Sequence, residues 1–160
     1  MGNDMKREQD VERQPAQVVA ERCAAAMWEG DEASRSLGMK LEEVRPGYAR
    51  LSMVIRGDMV NGHDNCHGGL IFSLADSAFA FACNGANRLT VASGASIDFV
   101  SPGARGDELV ATCEERSRAG RTGVYDVTVA TRGGRLVAVF RGRSYSLYGQ
   151  LVPGLEVEEP

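Results

Sequence analysis

The run HGGLIFSLADSAFAFACN, residues 67–84, constrains the fold more than any other part of the chain. Wound as a helix it is apolar on nearly every face, through Leu70, Ile71, Phe72, Leu74, Ala75, Ala78, Phe79, Phe81 and Ala82. A helix apolar all round is buried, not laid on a surface. The remaining chain must therefore wrap it. Two strand-like runs precede it, Gly38 to Val44 and Ala49 to Ile55, with Arg45-Pro46-Gly47 as the turn between them. Four longer ones follow, at about 91–100, 108–118, 123–131 and 135–147. Their connections, SPGARGD, RAGRTG and TRGG, each place Gly at a turn. Long strands joined by short turns predict an antiparallel sheet. Two strands, one buried helix and four strands make an α+β layout, satisfied by a single sheet curled around one central helix. Before all of these, Val18, Val19, Cys23, Ala26 and Met27 recur at helical spacing and predict an extra N-terminal helix over Pro15 to Trp28.

Composition narrows the class. A chain of 160 residues with 43% hydrophobic content suits one domain. Its 18 basic against 22 acidic residues, net −4, argue against a nucleic-acid binder, and its make-up against a collagen-like or disordered chain. No run of about 18 apolar residues exists, so no membrane span is expected. The start, MGNDMKREQDVERQ, lacks the apolar segment of a signal peptide. Cys23, Cys66, Cys83 and Cys113 form no CxxC pair and fit neither a disulfide framework nor a structural zinc site. Reduced thiols and a cytoplasmic location are expected. Residues 1–13 read as a frayed terminus, 14–148 as a single domain, and 149–160 as an acidic tail. Residues 101–150 hold eight arginines (105, 116, 118, 121, 132, 135, 141, 143) against five acids, a local +3. Solvated strand faces and a phosphate-bearing ligand both account for that excess.

The chemistry gathers in residues 61–84. His63 and His67 are the only histidines. Gly68-Gly69 opens the buried helix, where backbone N–H groups lack intrahelical partners and carry partial positive charge. Such a terminus binds a phosphate or polarises a carbonyl; a plain tight turn is the structural alternative. Asp76 lies mid-helix among Leu74, Ala75, Ala78 and Phe79, too far in to be an N-cap. Buried, it would have a raised pKa and serve as a base; exposed, it would share a polar stripe with Ser73 or Ser77. Nine residues separate His67 from Asp76, so they differ by roughly 180° around the helix and about 13 Å along it. One helix cannot bring both to one reacting centre. The spacing predicts a site shared across a homodimer, with Gly68/Gly69 from one subunit and Asp76 from the other. His63-x-x-x-His67 superficially resembles a zinc pair, but that pattern needs a helix, and Gly62, Asn65 and the glycines after His67 predict a loop. No metal and no cofactor are expected.

Asn61-Gly62-His63, His67-Gly68-Gly69, Leu74-Ala75-Asp76-Ser77-Ala78 and Ala82-Cys83-Asn84 together resemble the hotdog-fold thioesterases. The likeness is to the PaaI-type hydroxyphenylacetyl-CoA thioesterases of phenylacetate degradation. Ser96-Ile97-Asp98-Phe99, Ser101-Pro102-Gly103, Arg121-Thr122-Gly123-Val124-Tyr125-Asp126 and Phe140-Arg141-Gly142 extend the resemblance, which runs from about Leu37 to Leu147. It implies a six-stranded antiparallel sheet around the 67–84 helix, dimers that pair into tetramers, and metal-free hydrolysis of acyl-CoA. The Gly68 or Gly69 N–H would polarise the thioester carbonyl. Asp76 of the partner subunit would act as general base or nucleophile. Asn61 and His67 would position water or carbonyl, and Ser96 matches a position that brings a hydroxyl near the water. Ser101-Pro102-Gly103 and Arg121-Thr122-Gly123 would meet the nucleotide part of CoA.

Two other roles fit the same fold: an enoyl-thioester hydratase or dehydratase, and a non-catalytic acyl-CoA-binding protein. The latter usually carries a DNA-binding segment, and the residues before the sheet offer one helix and no basic recognition stretch. The acyl group stays open among aryl-acetyl, hydroxylated aryl-acetyl and medium-chain acyl. Phe72, Phe79 and Phe81 are candidates for an aryl pocket, although aromatics at helical spacing are also core.

Overall fold

Leu109, Ala111 and Cys113 of one strand, and Tyr125, Val127 and Val129 of the next, are all buried. The period-two pattern puts the intervening residues on the opposite sheet face. The computed structural model describes residues 11–159. Their elements are β1 (Glu12–Gln14), α1 (Ala16–Gly30), α2 (Glu32–Ser36), β2 (Lys40–Arg45), β3 (Tyr48–Val54), α3 (Gly68–Asn84), β4 (Thr90–Phe99), β5 (Glu108–Ala119), β6 (Thr122–Thr131), β7 (Leu136–Ser146) and β8 (Leu155–Val157). Strands β2 to β7 form one antiparallel six-stranded sheet in the order β2-β3-β5-β6-β7-β4. The α+β layout read from the sequence is the one observed.

The sheet curls around α3, which touches all six of its strands. Ile71, Leu74, Ala75, Ala78, Phe79, Phe81, Ala82 and Cys83 of α3 are buried against Leu51, Met53, Ile55, Leu109, Tyr125, Val127 and Phe140. Each large side chain so buried stabilises by about 1.5–3 kcal/mol. Gly142 lets Phe79 lie directly on β7, for a Cβ there would come within 2.8 Å of the ring. The far end of α3 is tied to β4 through Asn84. Its Nδ2 donates to the carbonyls of Ala80 and Thr90, and its Oδ1 accepts the Thr90 N–H at 2.9 Å.

The chain ends differ from the sequence reading. Strands β1 and β8 pair in parallel, and Leu155 is buried against Val19 and Cys23 of α1. Asn87, at φ 56°, holds this strap. Its Nδ2 donates to the Val152 and Leu155 carbonyls, each at 2.8 Å, and its Oδ1 accepts from the Val152 N–H and the Cys23 thiol. The segment 149–159 is therefore anchored on α1 through Leu151, Val152 and Leu155 rather than trailing as an acidic tail. The three glutamates of that segment hide its one buried leucine. Of the stretch expected to fray, residues 1–10 lie outside the described residues, and 12–14 are strand. The five-residue α2 is also absent from the sequence reading; its N-cap Asp31 accepts from the Ser34 N–H at 2.9 Å.

Candidate active site

The site is built at the N-terminus of α3. The preceding loop is fixed by Asn61, whose Oδ1 accepts the N–H groups of His63 at 2.9 Å and Asn65 at 3.3 Å. The His67 N–H then donates to the Met59 carbonyl, and His67 enters the helix as its N-cap in extended conformation. Its Nδ1 accepts the Gly69 N–H at 3.1 Å. That bond puts the imidazole proton on Nε2, so the exposed ring edge is a donor. The Gly69 N–H is thus already engaged. The Gly68 N–H finds no acceptor among the described residues. Of the two candidate donors, Gly68 is the one left to face a ligand. The ring of Phe99 lies over it: a Cβ on Gly68 would sit 2.9 Å from Phe99 Cζ.

Asp76 lies eight residues further along α3, about 12 Å by helical rise. It is half-buried and shares the helix face left uncovered by the sheet with Ser73 and Ser77. Ser73 Oγ donates to the Gly69 carbonyl at 2.8 Å. Ser77 Oγ meets Ser34 Oγ of α2, also at 2.8 Å. No cation or hydrogen-bond donor reaches the Asp76 carboxylate among the described residues. Burial raises its pKa above the ordinary aspartate value of 3.8. Asp76 falls between the two sequence readings: it is half-buried and desolvated, on a helix face it shares with Ser73 and Ser77.

The other candidates divide. Gly103 is buried near the α3 entry, its carbonyl accepting the Cys66 N–H at 2.8 Å. Ser101 Oγ donates to the Leu136 carbonyl and accepts from Arg135, which also reaches the carbonyl of Pro102. The turn carrying Arg121, Thr122 and Gly123 is at the other end of the sheet, where the Arg121 carbonyl accepts the Ser146 N–H at 2.7 Å. Leu136 and Ser146 are the two ends of β7. At about 3.3 Å per residue they are some 33 Å apart, so one chain does not bring the two turns together. Arg121 is held by its Nε to the Ser146 carbonyl and lies over the rings of Tyr145 and Tyr148, at 4.7 and 4.4 Å. Ser96 alternates with Ala95 and Ile97, which pack on the core, and so points out of the opposite sheet face. There it lines a shallow cavity of about 410 Å³ with Asp98, Asp126, Thr128 and Arg141. It is not brought to α3.

Most of the basic excess is neutralised. Arg105 pairs with Asp64, Arg132 with Glu42 and Glu108, Arg135 with Asp107, and Arg116 and Arg141 with Asp126. Paired, solvated strand faces account for these arginines. Phe79 and Phe81 are core, and Phe72 packs edge-on against Phe140 at 5.3 Å. The aromatic that does border the site is Phe99, which sequence reasoning passed over. Its signal was its place two residues after Ile97, on the helix side of β4 and just before the Ser101-Pro102-Gly103 turn. No group of three or more His, Cys, Asp or Glu is placed to hold a metal ion among the described residues. No helix among them is long and apolar enough to cross a membrane.

Known proteins are similar to this chain in sequence and fold. The sequence signature of the thioesterase superfamily matches residues 63–138. The acyl-coenzyme A thioesterase PaaI of Escherichia coli (strain K12) is 43% identical over 128 residues, covering 80% of this chain and 91% of that protein. The solved structure of the E. coli PaaI protein from the phenylacetic acid degradation operon superposes with a TM-score of 0.83 at 41% identity, over 84% of this chain and 98% of that one. The phenylacetic acid degradation protein PaaI of Thermus thermophilus, solved as a mutant, gives 0.71 at 35% identity, over 73% of this chain and 100% of that one. The chain has the hotdog fold and belongs to the thioesterase superfamily, among its PaaI-type acyl-coenzyme A thioesterases.

Proposed function

We propose that this chain hydrolyses acyl-CoA thioesters to a free acid and CoA, with aryl-acetyl and hydroxyphenylacetyl groups as the preferred acyl class. The observation that carries the mechanism is the unengaged Gly68 N–H at the start of α3, on the same helix as a desolvated carboxylate without a counter-charge. The Gly68 N–H donates to the thioester oxygen and stabilises the negative charge that grows there. Asp76 removes a proton from water, whose oxygen bonds to the carbonyl carbon. The C–S bond then breaks, and the departing thiolate takes the proton from Asp76. Direct attack by the Asp76 carboxylate, giving an anhydride that water opens, uses the same two groups. The Nε2–H of His67 and the Asn61 carboxamide edge the cleft and orient the carbonyl or the water.

The two groups act on one substrate across a two-fold axis. Supporting this, β4 is an edge strand whose outer side is unpaired among the described residues. Antiparallel pairing of two such edges continues the sheet and covers an exposed liability. It also sets the Thr90 end of one β4 beside the Phe99 end of the other. Thr90 pairs with Ser146, next to Arg121, while Phe99 leads into Ser101. The two turns that one chain keeps about 33 Å apart would then converge from different subunits on the CoA moiety. Dimers pairing further into tetramers are part of the same reading.

Free-thiol release across an acyl-CoA panel tests the function. Phenylacetyl- and hydroxyphenylacetyl-CoA should give the highest kcat/KM. Flat, near-background rates throughout would replace hydrolysis with a binding role, and hydration of an enoyl-CoA without thiol release would point to hydratase chemistry.

A further inference from the structure

We propose that Phe99 selects an aryl group on the acyl side of the thioester, an assignment that rests on the thioesterase reading above. Of the five phenylalanines, Phe79, Phe81 and Phe140 are buried and Phe72 is half-buried, whereas Phe99 is 55% exposed. Its backbone is firmly held, since Phe99 pairs with Ala138 in the ladder and the next N–H, of Val100, donates to the Val137 carbonyl at 2.8 Å. Its ring finds no aromatic partner among the described residues. In the single chain this ring, on a held backbone, is an open apolar surface beside the site.

The ring's place gives the ligand. It overlies the first residue of α3 closely, a Cβ on Gly68 falling 2.9, 3.3 and 3.4 Å from the three atoms at the tip of the ring. In the proposed pose the carbonyl oxygen accepts the Gly68 N–H at about 2.9 Å and the acyl carbon is turned toward the Phe99 ring. An aryl group one methylene further out comes within the roughly 4.5–7 Å centroid range of offset or edge-to-face pairs. An alkyl chain in the same place is desolvated equally but forms no ring pair. The aromatic pair adds a further preference of about three- to tenfold. Glycine at position 68 thus serves two neighbours, giving room to the ring as well as to the thioester.

The test is kcat/KM by free-thiol release for phenylacetyl-CoA and hexanoyl-CoA, with folding of each variant checked by circular dichroism. In Phe99→Leu the phenylacetyl to hexanoyl ratio should fall about three- to tenfold. In Phe99→Tyr, which keeps the ring, the ratio should stay within about twofold of the unaltered protein. Phe99→Ile provides the same loss if the Leu chain does not fold. A non-aromatic variant that changes both substrates by one common factor would overturn the assignment and leave Phe99 as packing. If the unaltered protein releases no thiol from either substrate, the thioesterase reading falls first and this assignment with it.

Discussion

Two inactive variants of this chain, mixed, should regain activity. The first is Asp76→Asn, which keeps size and removes the base, for an expected loss of about 10²–10⁴ in rate. The second is Gly68→Pro, which deletes the polarising donor. Gly68 is the first helical residue, where proline is accepted because that N–H has no intrahelical partner. His67, at φ −61° and ψ 130°, already has the extended conformation that a following proline demands. The new ring meets only the tip of Phe99, whose exposed side chain can turn aside. Loss of one such donor costs about 10²–10³ in kcat. Equal amounts are unfolded together, refolded and assayed by free-thiol release. Random reassortment makes half of the dimers mixed, and in each mixed dimer one site carries both defects while its two-fold mate carries neither. One half of one half gives about a quarter of the unaltered activity, at least tenfold above either variant alone. A mixture no more active than the mean of its components would refute the shared site and require Gly68 and Asp76 of one chain to act together.

The raised pKa of Asp76 makes two linked predictions from one cause, burial of its carboxyl. The acid limb of kcat/KM should lie above the ordinary aspartate value of 3.8, and a limb at or below it would remove Asp76 as the base. The fold favours the protonated carboxyl, so that stabilisation is fully present below the unfolded pKa and lost as pH rises through the folded one. Asp76→Asn should accordingly melt at a higher temperature than the unaltered protein at pH 7, with the gain shrinking toward acid; a lower Tm at pH 7 would contradict it. Leu155→Ala should cost about 2–5 kcal/mol in urea unfolding because the side chain is 1% exposed against α1, and a loss below about 0.5 kcal/mol would make the C-terminal strap incidental. If the Arg121 turn meets the nucleotide, Arg121→Gln should raise KM about tenfold or more for an acyl-CoA and leave an acyl-pantetheine unaffected, whereas equal changes for both would reject that contact.

The strongest part of the fold was visible because α3 carries its own evidence. Leu70, Ile71, Leu74, Ala78, Phe79 and Phe81 spread over about 180° of its circumference, wider than the apolar stripe of a surface helix. The six sheet strands were equally plain, each being long and set off by glycine turns such as Gly47, at φ 70°, and Gly120, at φ 58°. Periodicity failed where elements are only a few residues long. Strands β1 and β8 have three residues each, too few to show alternation, and β8 is held in place by Asn87, a side chain remote from both in sequence. At the site, Gly68, Asp76 and the α3 entry were legible, but the choice between Gly68 and Gly69 was not. It depends on the imidazole turning back to take the Gly69 N–H, which no spacing rule reveals. Ser96 was drawn in by the motif around it, and strand alternation turned it outward. The arginine count was real, yet most of those charges had acids waiting for them on neighbouring strands or turns.

On the proposed reading one helix serves both core and site, and a second copy of the chain completes both. The sheet closes around most of α3 but leaves the stripe of Gly69, Ser73, Asp76 and Ala80 partly open. A half-buried aspartate already titrates high, and any further covering of that stripe raises it more, toward the working range of a general base. The unpaired edge of β4 runs beside the same helix, since Asn84 is tied to Thr90 at one end and Gly68 lies beneath Phe99 at the other. A second copy pairing on β4 would therefore cover the open stripe in the same step that completes the sheet. Burial of apolar surface along that edge would offset the cost of desolvating the carboxylate. Association and pKa tuning then become one event, and a chain kept monomeric should lose activity by titration of Asp76 as well as by loss of its partner's Gly68.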